Sequence, residues 1–212
     1  MLLAFVFFML SIVSISFFDK PLALYVPAHG FDQWPLLFHL TEDGILPLMI
    51  FSLIMLCIFP TDKLLWKRIL LVLYAVAAAY LAIWIRRRLG IICARSWPNV
   101  WAESGVYGGL LGDGQFGFHF FQTTTWKGSF PSGHCVETAY ICCTMFLVYN
   151  CFKCLWCIPV VAMVLAQVLQ HFHFLGDCFA GIALGVLVSY FGFALYMFLC
   201  ANIKSVLYGV EK

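Results

Sequence analysis

Long apolar runs constrain this chain more than any other feature of its sequence. The first run, from Met1 to Phe18, contains no charged side chain, and comparable runs recur as far as Cys200. A helix crosses the bilayer core with roughly 20 apolar residues. Because 64% of the 212 residues are hydrophobic and only 10% are charged, the chain carries more apolar surface than a soluble domain can bury. The sequence therefore predicts an all-α integral membrane protein.

The breaks between the apolar runs predict six transmembrane helices within a single membrane domain, residues 1–212. The predicted helices cover residues 1–18, 45–59, 69–85, 134–148, 155–171 and 178–200. The first run is predicted to be a helix and not a signal peptide, because no basic residue precedes it and no A-x-A cleavage site follows it. Residues 19–43 mix prolines and charges with short apolar stretches, which is typical of a segment lying along the membrane interface.

One long polar segment separates the third predicted helix from the fourth. It runs from Arg86, where the third helix is expected to stop, to Pro131, and it holds six glycines between Gly105 and Gly117. Long polar segments between helices commonly carry function. The net charge of +2 is too small to indicate a nucleic-acid partner.

The motif Pro131-Ser132-Gly133-His134 stands where this polar segment meets the fourth apolar run. We expect a helix to begin here, with the Ser132 side chain as its cap and Gly133 allowing close approach of a ligand. Free N–H groups at a helix start bind phosphate, and His134 has an ordinary pKa near 6.5 that suits proton transfer. The alternative interpretation is a capped helix with an interfacial histidine.

Two further clusters are predicted to reach the same membrane surface. Arg88 and Arg95 stand seven residues apart, and a guanidinium offers paired donors to a phosphate. His173 and Asp177 stand four residues apart, so on one helical face the acid can hold one ring nitrogen and leave the other free to attack. Together with His134 as a proton donor, these residues would make a phosphoryl-transfer site.

No metal or other cofactor is expected at this site. No second carboxylate is apparent near Asp177, and a zinc site made of His134, His171 and His173 is the weaker alternative. For Arg86 and Arg87, the alternative to phosphate binding is a basic anchor at the membrane edge.

These motifs resemble those of the type 2 phosphatidic acid phosphatases, the PAP2 superfamily, and in particular its bacterial membrane members. Pro131 to His134 matches the P-S-G-H motif completely, and His173 with Asp177 matches the H-x-x-x-D spacing. The resemblance implies a six-helix lipid phosphatase with its core motifs in residues 86–177. It also implies that His173 is the nucleophile, Asp177 its orienting partner and His134 the general acid.

The resemblance implies that the phosphate is bound by Arg88, Arg95, Ser132, Gly133 and the position of Gln167. The chain departs from the family pattern at several of these places. Arg88 replaces a lysine, a serine follows Arg95 where the family has proline, and Gln167 replaces an arginine. Gln167 can still donate a hydrogen bond, but a positive charge is lost. Arg86, Arg87 and Lys127 are the candidates to replace that charge.

The resemblance implies a metal-independent phosphatase of phospholipid metabolism that cleaves a phosphate monoester or diphosphate from a lipid headgroup through a phosphohistidine. Candidate substrates are phosphatidate, phosphatidylglycerophosphate, undecaprenyl diphosphate and lipid A. The expected location is a bacterial inner membrane, with the site facing the periplasm. The alternatives are a lipid phosphotransferase that uses the same site, and a non-enzymatic membrane protein with an eroded phosphatase site.

Overall fold

The structure is a computed structural model that describes residues 1–58, 62, 64–98, 116–121, 128–149 and 153–208. The helices in these ranges are α1 (Leu2–Phe17), α2 (Asp19–Ala28), α3 (Pro35–Glu42), α4 (Ile45–Ile58), α5 (Leu65–Cys93), α6 (Gly133–Val148), α7 (Cys157–Leu169) and α8 (Leu175–Tyr208), with 3-10 turns at Phe31–Gln33 and Lys153–Trp156. The described part of the chain contains no strand, which confirms the all-helical prediction for those residues. Half of the predicted polar segment, including Lys127, lies outside the described residues.

Two helices are long and apolar enough to cross a membrane on their own. They are Leu65–Cys93 and Leu175–Ile203, each of 29 residues, or about 43 Å at 1.5 Å per residue. Two helix pairs qualify only if each bent pair counts as one span, α1 with α2 at 68° and α3 with α4 at 48°. Within the described residues, two to four spans therefore qualify by length and composition, and six crossings stay a prediction.

Helix α8 lies at the centre of the bundle, where it packs against α6, α1 and α5. Two glycines make the contact with α6 close. A Cβ atom at Gly181 would lie 2.7 Å from the Ser132 carbonyl oxygen, and one at Gly185 would lie 2.5 Å from the Val136 carbonyl oxygen. Small residues that let two backbones touch are typical of helix contacts in membranes. They bring the beginnings of α6 and α8 together.

Helix α5 continues through Arg86, Arg87 and Arg88 to Cys93, so the prediction that it stops at these arginines is wrong. Arginine is a good helix former, and three charges therefore end the apolar run without ending the helix. The helix ends at Ala94, which is left-handed with φ 44° and ψ 40°. The extension places the three arginines on different faces of one helix.

The predicted interfacial segment, residues 19–43, forms the two short helices α2 and α3. The chain bends by 68° between α1 and α2, and Asp19 at this bend is completely buried. Ser14 Oγ donates a hydrogen bond of 2.7 Å to Asp19 Oδ1 across the bend. The bend therefore directs a carboxylate into the interior of the bundle.

Candidate active site

A pocket of about 210 Å³ opens beside the start of α6. Residues of α5, of the segment after it, of α6 and of the turn before α8 line it, namely Ile83, Arg86, Arg87, Trp97, Gly133, His134, Val136, Glu137 and His173. Both histidines that the sequence singled out, His134 and His173, therefore line the same cavity. The cavity also contains two arginines and a carboxylate.

Arg86 lies directly over the start of α6. Its Nε donates a hydrogen bond of 3.1 Å to the carbonyl oxygen of Pro131. A Cβ atom at Gly133 would stand 3.3 Å from Arg86 Nε, so the glycine leaves room for the guanidinium to cover the first turn. A positive charge and the N–H groups of a helix start are thus combined at one point of the pocket, an arrangement that attracts anions.

The Ser132 side chain does not cap α6, contrary to the sequence prediction. No side-chain capping bond is present, and Ser132 Oγ is buried without a hydrogen-bond partner among the described residues. The backbone is held instead, because Ser132 N donates to the carbonyl oxygen of Asp177 at 3.0 Å. The contact ties the start of α6 to the first turn of α8, and it leaves the serine hydroxyl available.

His173 contacts Asp177 as the four-residue spacing predicted, but not on a helical face. His173 lies in the turn before α8, and its Nδ1 stands 3.6 Å from Asp177 Oδ2, slightly beyond hydrogen-bonding distance. Its backbone N–H donates to the carbonyl oxygen of Gln167 at 3.1 Å. The ring of Trp97 lies 4.6 Å from the imidazole, between ring centroids. The backbone of His173 is therefore fixed by a hydrogen bond, and its imidazole ring lies against Trp97 and Asp177.

Burial lowers the pKa of His173 below its ordinary value of 6.5, although Asp177 acts in the opposite direction. Desolvation disfavours the imidazolium, so the neutral ring is the form present at neutral pH. A neutral imidazole has a free lone pair on one nitrogen. With Nδ1 on the Asp177 side, Nε2 is the nitrogen left for attack.

Arg95 does not line the pocket, contrary to its predicted role in phosphate binding. It is 1% exposed and donates from Nη1 to Asp177 Oδ1 at 2.5 Å and from Nη2 to Asp19 Oδ2 at 2.8 Å. Burial alone would lower the pKa of Arg95, but the two carboxylates more than offset it and the pKa is raised. Both terminal nitrogens are therefore engaged with protein carboxylates.

Asp19 is the site residue that sequence reasoning missed. Asp19 belongs to the segment predicted to lie along the interface, and no second carboxylate was expected near Asp177, yet Arg95 bridges the two acids. The signal was an acidic residue directly after an uncharged apolar run, since ionisable groups within membrane segments are commonly functional. Nothing in the local pattern shows which distant residue Asp19 meets.

Arg88 also lies outside the pocket, contrary to its predicted role. It is exposed, and its guanidinium carbon lies 5.4 Å from the centroid of the Trp84 ring. Successive helical residues are about 100° apart, so Arg88 faces nearly opposite to Arg86. The pocket contains Arg86 and Arg87 instead, two of the three residues considered as replacements for the missing charge.

Gln167 is completely buried and does not line the pocket. Its Nε2 donates to the sulfur of Met163 at 3.6 Å. Its backbone carbonyl oxygen accepts the N–H groups of Phe172 and His173. The side chain therefore does not take the phosphate-binding position predicted for it, and the residue holds the His173 turn through its main chain.

Glu137 is a second residue that the motifs did not reveal, and unlike Asp19 it lies in the pocket. It follows His134 by three residues on α6, one turn along the same face. It lines the pocket and interacts electrostatically with Arg86 and Arg87. Acidic residues on apolar helices are rare, which was the available signal.

The chemical capacity of the pocket follows from these groups. One imidazole carries an acid behind it, a second imidazole stands at a helix start, and two guanidiniums supply positive charge. Such a set can bind an anion, attack it and protonate a leaving group. Within the described residues, fold and pocket define an all-helical arrangement with apolar, membrane-compatible helices and a histidine pocket whose charge suits an anion.

Residues 68–201 match the family model described as the PAP2 superfamily, which is more than half of the 212-residue chain. The chain belongs to the PAP2 superfamily. Comparison with curated proteins and with solved structures found no match. Membership confirms the resemblance to the PAP2 superfamily, while the likeness to its bacterial members stays a prediction, and it indicates phosphatase or phosphotransferase activity on lipid phosphates.

Proposed function

We propose that the protein is a lipid phosphatase that hydrolyses a phosphate monoester or diphosphate of a membrane lipid through a phosphohistidine. The observation that carries this proposal is that His134 and His173 line one pocket together with Arg86 and Arg87. Phosphoryl transfer consists mainly of positioning and charge stabilisation, and these residues supply both. The family to which the chain belongs supports the same reaction class.

In the proposed mechanism, His173 Nε2 attacks phosphorus while the bond from phosphorus to the lipid oxygen breaks. Asp177 steadies the ring and the positive charge that the imidazole gains. His134 donates a proton to the departing oxygen. A water molecule then attacks the phosphohistidine, His134 accepts a proton from that water, and inorganic phosphate leaves with His173 restored.

Phosphate binding is assigned here to Arg86, Arg87 and the backbone around Ser132 and Gly133. Arg86 lies over Gly133, so its charge and the N–H groups of the first turn address the same anion. The buried hydroxyl of Ser132 is available as a further donor. This assignment replaces Arg88, Arg95 and Gln167, whose side chains are engaged elsewhere.

The test is phosphate release in detergent with water as the sole acceptor. The purified protein is offered phosphatidate, phosphatidylglycerophosphate, undecaprenyl diphosphate and lipid A in parallel, and the His173→Ala variant is the control for contaminating phosphatases. We expect the wild type to release phosphate from at least one lipid and the variant from none. Loss of phosphate from the donor lipid only after a second lipid is added, with the phosphate recovered on that second lipid, would identify a phosphotransferase instead.

The proposed reaction needs no metal ion, because guanidiniums and a helix start supply the charge. Activity should therefore survive dialysis against EDTA. Loss of turnover in EDTA that magnesium restores would overturn the proposed mechanism.

A non-enzymatic membrane protein is the second candidate, and one observation favours it. Three side chains at the family's phosphate-binding positions, those of Arg88, Arg95 and Gln167, do not line the pocket. If the site is eroded, no lipid of the panel will yield phosphate although the purified protein is folded.

We further propose six crossings in a bacterial inner membrane with the pocket on the periplasmic side. The count treats each bent pair as one span and adds the shorter apolar helices Gly133–Val148 and Cys154–Leu169. Labelling of intact cells with an impermeant maleimide tests the orientation. A cysteine at exposed Phe120, near the pocket end of α5, should react, whereas one at exposed Leu64, at the opposite end, should not. The reverse result would place the pocket in the cytoplasm.

A further inference from the structure

A buried charge cluster lies behind the pocket and joins the α1–α2 bend to the first turn of α8. Arg95 donates one terminal nitrogen to Asp177 at 2.5 Å and the other to Asp19 at 2.8 Å. The two carboxylates are 0% exposed and the guanidinium is 1% exposed. In this low-polarity setting charges act on one another more strongly than in water.

Asp19 is held as firmly as Asp177. Its Oδ1 accepts hydrogen bonds from Ser14 Oγ at 2.7 Å and from the backbone N–H of Gly176 at 2.8 Å. A Cβ atom at Gly176 would stand 2.8 Å from Asp19 Oδ2, so only glycine lets the carboxylate come this close. Asp19 therefore reaches Asp177 by two routes, through Arg95 and through the residue directly before Asp177.

Aromatic rings fix the guanidinium between its two acids. The Arg95 guanidinium carbon lies 4.1 Å from the centroid of the Phe174 ring and 4.9 Å from that of Phe118. Rings at this distance attract the cation through their faces and keep water away. The Arg95 guanidinium is therefore held in one position, where it forms an ion pair with each of the two carboxylates.

We propose that Asp19 is a positioning residue for His173. Asp19 neutralises part of the positive charge of Arg95, and this leaves more of the negative charge of Asp177 to stabilise the imidazole ring of His173. The catalytic part of this inference rests on the proposed function, in which His173 is the nucleophile. Asp19 lies outside residues 68–201, which match the family model. The assignment therefore adds a residue of the first helix pair to the site.

The charge balance gives the direction of the effect. Two carboxylates and one guanidinium leave one net negative charge beside His173, which favours the imidazolium that forms during attack. If Asp19 is neutral, Arg95 and Asp177 cancel and this support is lost. Among the described residues, the other titratable groups that act on His173 and Asp177 are His134, Arg86, Cys93 and Cys178. All four are retained in the variants described next.

The first variant is Asp19→Asn, which preserves the shape of the side chain and removes its charge. His173 modification by diethyl pyrocarbonate, followed across pH by mass spectrometry, reports the titration of this imidazole without any turnover. We expect the midpoint for His173 to move to lower pH, and kcat to fall on the order of tenfold to a hundredfold with KM little changed. Asp43→Asn is the matched control, because Asp43 is 72% exposed and pairs only with nearby His39 among the described residues.

A purely structural role for Asp19 predicts a different result, since loss of stability alone leaves the titration of His173 where it was. The double variant Asp19→Asn, Arg95→Gln separates the two roles. It restores one net negative charge, that of Asp177, beside His173. We expect the His173 midpoint of the double variant to move back towards higher pH. The double variant is also the better tolerated change if the single variant does not fold, because it puts a neutral pair in place of a broken ion pair.

Two results would overturn the inference. One is a His173 midpoint in Asp19→Asn that equals the wild-type value. The other is a double variant that titrates no higher than the single variant or, should the single variant not fold, clearly below wild type. A wild type that cleaves no lipid while the variants show the expected shifts would refute the proposed function and support the electrostatic link. The two proposals therefore fail in distinguishable ways.

Discussion

Replacing Gly181 with alanine tests whether the contact between α8 and α6 determines the position of His134. The new Cβ would stand 2.7 Å from the Ser132 carbonyl oxygen and 3.0 Å from Cys135 Cβ. Ordinary contact begins near 3.4 Å, so the carbonyl has to retreat by about 0.7 Å, from 2.7 to 3.4 Å. That carbonyl accepts the N–H of Val136 at 3.0 Å, so the first turn of α6 moves with it.

The displacement gives the expected magnitude. A misplacement of about 1 Å in a reacting group can cost roughly a hundredfold in rate, so a shift of this size in His134 should lower kcat about tenfold to a hundredfold. Overpacking of this kind costs about 1–3 kcal/mol of stability. A protein of ordinary stability stays folded after such a loss, so the rate and the stability can be measured on the same sample.

The assay compares Gly181→Ala with Gly192→Ala by phosphate release and by thermal unfolding in detergent. A Cβ atom at Gly192 would meet Tyr74 Cε2 at 2.5 Å, against α5 and away from the start of α6. We expect both variants to lose stability but only the first to lose most of its rate. Equal rate losses, or a destabilised Gly181→Ala with the wild-type kcat, would refute the reasoning.

Three further predictions concern the pocket. Arg86→Lys should lower kcat/KM at least about tenfold, which corresponds to the loss of one charged hydrogen bond of about 1.5–3 kcal/mol. Arg88→Lys should leave kcat/KM unchanged. The opposite ranking would show that Arg88, and not Arg86, binds the phosphate. His173→Ala should trap no acid-labile label from a radioactive lipid phosphate. His171→Ala should trap most of the wild-type amount, because His171 is buried and its Nε2 lies 2.9 Å from the carbonyl oxygen of Ala23. Label retained by His173→Ala but lost by His171→Ala would show that His173 is not the nucleophile. Single-turnover phosphorylation should be lost towards acid pH with a midpoint below pH 6.5, since burial lowers the pKa of His173 from that value and only the neutral ring attacks. At higher pH the rate should fall again as His134 loses the proton that it donates. An acid-side midpoint above 6.5 would contradict this environment of His173.

The helices and the two histidines could be predicted from the sequence because both depend on local pattern. An apolar run indicates a helix wherever it is long enough, and the start of α6 follows from Ser132 and Gly133 after a proline. The contact between His173 and Asp177 also followed from their spacing, although the turn before α8 brings it about and not a helical face.

The roles of the arginines could not be predicted, because they depend on features that are not local. Which arginine of the three faces the pocket depends on α5 continuing beyond them to Cys93. The burial of Arg95 depends on Asp19, which is 76 residues away in sequence. A motif indicates that a cation is present, but the packing of distant segments determines what that cation meets.

The charge cluster also imposes an order on biosynthesis. Arg95 follows Asp19 by 76 residues and Asp177 follows Arg95 by 82, so at about 5–20 residues per second each partner is made several seconds after the previous one. During that time the first helix pair carries a carboxylate that lacks its counter-ion, which disfavours its burial in lipid. We expect nascent chains that end before Asp177 to leave Asp19 accessible to water, and crosslinking between the α1–α2 bend and α8 to appear only after the first turn of α8 has been made. The site is thus completed by a segment that is synthesised long after the first helix pair.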